Sequence, residues 1–196
     1  AGILIGPVHT YLEPSSFGIE ITLLLLIIVV VGGAGSVFGV AISAILLAIA
    51  FPNFEGSMRR NRLATTTNEL LGSVALARSE AIRNTRGAGI CASADGLACG
   101  GDWNDGWLVW TDGVDPPPTG TVIRVVDAHP RLELVAADAG GAGVSEVAFD
   151  YRGRPTDFAS TVFTLQPDAC PSGQELVRTL TINISGQMVN QREACP

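Results

Sequence analysis

No charged side chain lies between Glu20 and Glu55, and the run from Ile21 to Phe51 is dominated by Ile, Leu, Val, Ala and Gly. A bilayer core about 30 Å thick is crossed by about 20 such residues in a helix. The run therefore predicts a transmembrane anchor over 21–54, and the rest of the chain must hang from it. Ile42, Ile45, Leu46, Ile49, Phe51 and Pro52 form its final part. Residues 1–20 carry Pro7, Pro14, Ser15 and Ser16 and no basic residue, so they read as an N-terminal extension without the positive start of a secretory signal. The patch Gly32-Gly33-Ala34-Gly35-Ser36 lacks the Gly-Lys-Ser/Thr ending of a phosphate loop. Small residues that let a neighbouring helix approach closely explain it better.

Past the anchor the pattern turns helical and amphipathic. Leu63, Leu70, Val74, Ala77 and Ala81 recur at spacings of three, four and seven, which stacks them on one face. A stalk helix over 55–86 is predicted to continue the anchor, with Gly87 as its stop and these five residues packing it onto a head. From residue 88 the period changes to short β-type runs. The candidate strands are Ala88–Ala92, Trp107–Thr111, Thr121–Val126, Leu132–Ala136, Ser145–Tyr151, Thr161–Gln166 and Leu176–Ile184. The expected fold class is α+β: a long N-terminal transmembrane and amphipathic helix packed on an antiparallel sheet or sandwich, with the β-rich head over 87–196.

Cysteine usage sets the compartment. Cys91, Cys99, Cys170 and Cys195 lack the CxxC spacing of a redox or zinc site, and only His9 and His129 are available to complete a mixed one. Two disulfides are the simplest reading, in sequence-local pairs, with four reduced buried thiols as the alternative. Disulfides place the head outside the cytoplasm. Arg59, Arg60 and Arg62, just after the apolar run, would by charge bias face the cytoplasm. The cysteines weigh more, because charge bias is weak when a large domain is translocated. The net charge of −7 argues against gripping nucleic acid through bulk electrostatics and leaves room only for a local patch.

Two stretches resemble known families. Tyr11-Leu12-Glu13-Pro14-Ser15-Ser16-Phe17-Gly18 and the glycine patch, within residues 1–46, resemble a membrane segment of branched-chain amino-acid ABC permeases. The remainder carries a different set: Ala48-Ile49-Ala50-Phe51-Pro52-Asn53-Phe54, Asn68-Glu69-Leu70, Leu76-Ala77-Arg78-Ser79-Glu80-Ala81-Ile82-Arg83, Ile90-Cys91-Ala92-Ser93-Ala94-Asp95-Gly96 with Cys99 and Trp103, and Gly106-Trp107-Leu108-Val109-Trp110. Val147-Ala148-Phe149-Asp150, Gly153-Arg154-Pro155 and Leu180-Thr181-Ile182-Asn183-Ile184-Ser185-Gly186 complete it. In this order and spacing, over about residues 44–196, these motifs resemble the GspH/FimT family of type II secretion pseudopilins and minor type IV pilins.

That resemblance implies a ladle-shaped, non-enzymatic subunit without a cofactor, anchored once in the bacterial inner membrane with its head in the periplasm. Its implied partners are other pseudopilins or minor pilins, the inner membrane and an assembly platform. The family's first mature position falls on Val31 and its fifth on Gly35, where an aromatic residue and an assembly glutamate would stand. The chain departs from the pattern there. Either the pilin N-terminus has been replaced by the permease-like piece, or the subunit is a divergent one that stays in the membrane.

Candidate chemistry is sparse. Asp102-Trp103-Asn104-Asp105-Gly106 lacks the ligand spacing of a calcium loop and reads as a polar turn. Trp103, Trp107 and Trp110 read as core or sheet-face aromatics. His129, before Pro130, reads as an exposed loop residue. Asn183-Ile184-Ser185 matches a glycosylation sequon but falls in a predicted strand. DNA-binding members of the resembled family use basic residues after the last strand. Arg192 alone occupies that stretch, so DNA uptake is the runner-up to a structural role in protein secretion.

Overall fold

A computed structural model of the protein describes residues 37–111 and 120–196 together with Leu26 and Val30. The chain divides into two compact units, Ala1–Ser57 and Met58–Pro196. One helix, α1, spans Val37–Asn84 and continues through Pro52. In the first unit Phe38, Ile42 and Ile45 are exposed. The side chains of Leu46, Ile49, Phe51 and Pro52 lie outside the described residues, as does most of the anchor expected over 21–54. Among the described residues no helix is long and apolar enough to cross a membrane.

The second unit is built on the C-terminal part of α1. Leu63, Thr66, Thr67, Leu70, Ser73, Val74, Ala77 and Ala81 are all buried, a stripe at helical spacing that turns one face of the rod inward. Three of these are hydroxyl residues that the apolar pattern passes over. Thr67 Oγ1 donates to the Leu63 carbonyl one turn back (2.7 Å), which lets a polar side chain sit in the stripe with its hydroxyl satisfied. The helix stops at Asn84. Thr85 turns to φ 56° with its N–H still on the Ala81 carbonyl, and Gly87 follows at φ 90°.

Eight strands follow: β1 Ala88–Ala92, β2 Gly106–Thr111, β3 Thr121–Asp127, β4 Leu132–Asp138, β5 Glu146–Phe149, β6 Thr161–Pro167, β7 Val177–Ile182 and β8 Met188–Glu193. They form two four-stranded antiparallel sheets, ordered β3-β2-β1-β5 and β4-β6-β7-β8. Ile90, Trp107, Val109, Val147 and Phe149 of the first sheet share a core with Leu134, Phe163, Leu165, Leu180 and Ile182 of the second and with the α1 stripe. A smaller cluster, Cys91, Leu108 and Trp110, lies on the other face of the first sheet. Strand alternation explains the split: Leu108 and Trp110 point opposite to Trp107 and Val109.

The structure extends β2, β3, β4 and β6 by one or two residues, shortens β5 and β7 at both ends, and adds one strand. β5 stops at Phe149 because Asp150 opens a tight turn. β7 stops at Ile182 because Asn183 does the same, its Oδ1 accepting the N–H groups of Ser185 and Gln187. The sequon therefore lies in a turn. The stretch expected to trail after the last strand, Met188–Glu193, is itself strand β8. Asp102–Asp105 forms a short 3-10 turn in which Trp103 inserts into the core and donates its Nε1 to the Val144 carbonyl (2.6 Å). The Trp103 ring meets Phe163 edge-on at 4.9 Å.

Two disulfides are present, Cys91–Cys99 and Cys170–Cys195. The second spans 25 residues and ties the segment after β6 to the chain's end, the first only 8. In the loop-entropy description, closing the longer loop contributes about 3.5 kcal/mol and the shorter about 2.5 kcal/mol. Replacing Cys170 and Cys195 together by Ser is therefore expected to lower the unfolding midpoint more than replacing Cys91 and Cys99. Chemical denaturation of the two double variants checks the order.

Candidate functional site: the seam between helix and sheets

Among the described residues no group of three or more His, Cys, Asp or Glu is placed to hold a metal ion. The side chains that carry the architecture instead line the seam where α1 meets the strands. Trp107 Nε1 donates to Ser73 Oγ at 3.0 Å, so the buried serine and indole satisfy one another. Asn84 Nδ2 donates to Thr111 Oγ1 at 2.8 Å and fixes the end of the helix to the end of β2.

His129 is not the exposed loop residue expected from its place before Pro130. It is half-buried, its Nε2 lies 2.5 Å from Glu69 Oε2, and its ring stacks on Trp107 at 5.5 Å. Glu69 lies 60 residues away in sequence, so no local signal marks the pair. All three tryptophans are buried: Trp103 and Trp107 in the shared core, Trp110 in the outer cluster.

Arg78 plays the largest part that sequence reading missed. Its Nε donates to the Gly153 carbonyl (3.0 Å) and its Nη2 to the Ser185 carbonyl (3.4 Å), so one side chain of α1 holds two turns, one from after β5 and one from between β7 and β8. Gly153 (φ 73°) and Gly186 (φ 75°) make those turns, and both lie too close to neighbours for a side chain. The glycines were the available signal, since each follows a run of strand residues.

The first of these turns is braced by Asp150. Its Oδ1 accepts the N–H groups of Arg152 (2.8 Å) and Arg154 (2.9 Å), and Oδ2 accepts from the Arg154 guanidinium (3.0 Å). Burial pushes this carboxyl up, but the Arg154 N–H and guanidinium and the Arg152 N–H outweigh it and hold it below the usual carboxylate range. A carboxyl depressed in the folded state contributes stability that is complete above its unfolded value, about 3.9, and is lost as pH falls through the folded one. Stability is expected to fall below about pH 4 more steeply in the unmodified protein than in Asp150→Asn. Urea midpoints measured across that range check this, and parallel curves would contradict it.

Beside Arg78 an open groove of about 450 Å³ is lined by Leu71, Val74, Ala75, Ile82, Gly186 and Met188, with Ser79 at its side. Further along the sheet Arg178 of β7 stands opposite Arg192 of β8. Arg178 donates to the backbone carbonyls of Glu175 and Val177. Its pKa is lowered by burial first and by Arg192 second. The described ion pairs are Arg83–Glu80, His129–Glu69 and Arg154–Asp150, and neither Arg178 nor Arg192 takes part in them.

Comparison with solved structures returns the type IV minor pilin FimU of Pseudomonas aeruginosa (strain PAO1) in two crystal forms. One aligns at a TM-score of 0.49 with 23% identity, over 68% of this chain and 90% of that one. The other aligns at 0.45 with 21% identity, over 65% and 91%. No curated protein matches the chain, so the permease likeness of residues 1–46 gains no support. The family model of the type II transport protein GspH matches residues 66–186, from the buried face of α1 to the turn that Arg78 holds. As that is well over half of the sequence, the chain belongs to the GspH family.

Proposed function

We propose that this protein is a structural minor pseudopilin of a type II secretion system, a subunit of a short periplasmic pseudopilus. The GspH match over residues 66–186 carries the reading. The geometry agrees with it: Trp107–Ser73, His129–Glu69 and Arg78 seat the helix on the strands and turns around it. The apolar run 21–54 would serve as inner-membrane anchor and residues 55–86 as stalk, with the disulfide-bonded head over 87–196 in the periplasm. Other pseudopilins and the assembly platform would be its partners.

The sister role, a FimT-like minor pilin in pilus assembly or DNA uptake, is separated from this one by phenotype. Deleting the gene from its source organism is expected to reduce release of secreted proteins into the medium, with recovery on complementation. Unchanged secretion together with loss of surface pili or of transformation would replace this reading by the pilus one.

A further inference from the structure

Two sheets have four outer edges, and an unpaired edge is a template for another strand. The edge of β4 is covered: Asn104 Oδ1 accepts the Leu134 N–H (2.8 Å), Val144 N donates to the Ala136 carbonyl, and Asp138 N to the Ala142 carbonyl. The edge of β5 is covered by the returning chain, with Thr156 N on the Ala148 carbonyl and Asp150 N on the Arg154 carbonyl. β3 is blunted by a register shift against Val109/Trp110 that leaves Ile123 as an extra residue. β8 has none of these devices. Among the described residues its backbone bonds only to β7, and it contains no Pro and no bulge.

The flank of β8 is also the flank of the groove. Met188 lines it, and strand alternation puts Asn190 and Arg192 on the face of Met188. Arg192 is exposed and faces Arg178 across the register. Like charges directly opposed on neighbouring strands are destabilising. The protein has 19 acidic residues against 12 basic; the Glu175 carboxylate offsets part of the repulsion at Arg178 from a distance, but no described carboxylate is within ion-pair distance of either guanidinium. An anionic group supplied from outside would relieve the pair, and arginine favours a carboxylate in two-pronged geometry.

We propose that the free edge of β8 takes up an extended segment of a partner subunit by strand addition, with an aliphatic side chain in the groove at Leu71, Ala75 and Met188 and a carboxylate on Arg178 and Arg192. Met188 and Arg192 are four residues apart, so the two partner side chains stand about 13 Å apart on one face of the added strand. The backbone supplies affinity, and the spacing of aliphatic and acidic residues supplies selectivity. The surface deepens the filament-subunit reading and rests on it for the partner's identity. Its test is independent: failed peptide binding removes this surface and leaves a secretion phenotype standing, whereas a missing phenotype removes that reading and leaves peptide binding standing.

The test uses the full chain in detergent micelles and a fluorescein-labelled, end-capped eight-residue peptide alternating threonine with isoleucine and glutamate, the latter two placed four apart. Saturable binding is expected, with new amide-exchange protection over 188–193. It should weaken at least tenfold with Arg192→Gln, with lysine replacing the peptide's glutamate, and with N-methylation of alternate peptide nitrogens. Arg178→Gln should act in the same direction, and circular dichroism confirms that each variant is folded. Absence of saturable binding overturns the proposal, as does binding indifferent to N-methylation or to the glutamate. Two further results would also overturn it by assigning the surface elsewhere: a dimer of the free protein that the peptide cannot dissociate, or duplex DNA held through Arg192 in preference to the peptide.

Discussion

Leu70→Asp is expected to leave the second unit unfolded. Leu70 is fully buried on the inward face of α1, within the cluster that joins the helix to both sheets. Truncating such a leucine costs about 2–5 kcal/mol, and an unpaired carboxylate in its place adds several more. A typical domain has only about 5–15 kcal/mol in total. Asn68→Asp, two residues away and exposed, provides the control for introducing a charge on the same helix. Circular dichroism and limited proteolysis of both variants should show loss of the β signal and rapid cleavage for Leu70→Asp alone. A cooperative transition at an unchanged temperature would contradict the seating of α1.

Gly186→Ala is the second large effect. The residue sits at φ 75° in the β7–β8 turn, and a Cβ there would be driven into the carbonyl oxygen of Gly153, the same oxygen that accepts from Arg78. The left-handed backbone alone costs an alanine about 1–2 kcal/mol. Forcing two turns apart adds about 1–3 kcal/mol more, because the obstacle is backbone rather than the end of a flexible side chain. Together these predict a loss of about 3 kcal/mol, or about 6–12 °C in melting temperature for a chain of this size. Gly173→Ala isolates the backbone contribution, since Gly173 has φ 79° and nothing within 4 Å of an added Cβ. At about 1–2 kcal/mol it should lose only about 2–8 °C. Equal losses in the two variants would show that the contact between the turns carries no weight.

Both predictions concern a seam whose halves differ in how far sequence alone reveals them. The helix side is readable, because a rod that buries one face must repeat apolar residues every three or four positions, and Leu63, Leu70, Val74, Ala77 and Ala81 do so. The strands β3 to β7 are readable for the parallel reason at or near period two, and β1 and β2, buried along their whole length, as short apolar runs bounded by turn residues. β8 is not. Met-Val-Asn-Gln-Arg-Glu is exposed along nearly its whole length, so it has no buried face to impose alternation and is held as a strand by backbone pairing with β7.

The sequence by itself determined the elements that bury their own side chains and their order along the chain, since each follows from local periodicity; it favoured sequence-local disulfides, and the structure decided the pairing. The tertiary structure alone decided what depends on residues far apart. It divided the strands into two sheets and set His129 against Glu69. It gave Arg78 two turns to hold, and it left Arg192 beside Arg178 on an edge that, among the described residues, has neither a covering segment nor a bulge. The physical reason is range: periodicity records whether a residue is buried, whereas a pairing across tens of residues is recorded nowhere until the chain has closed on itself.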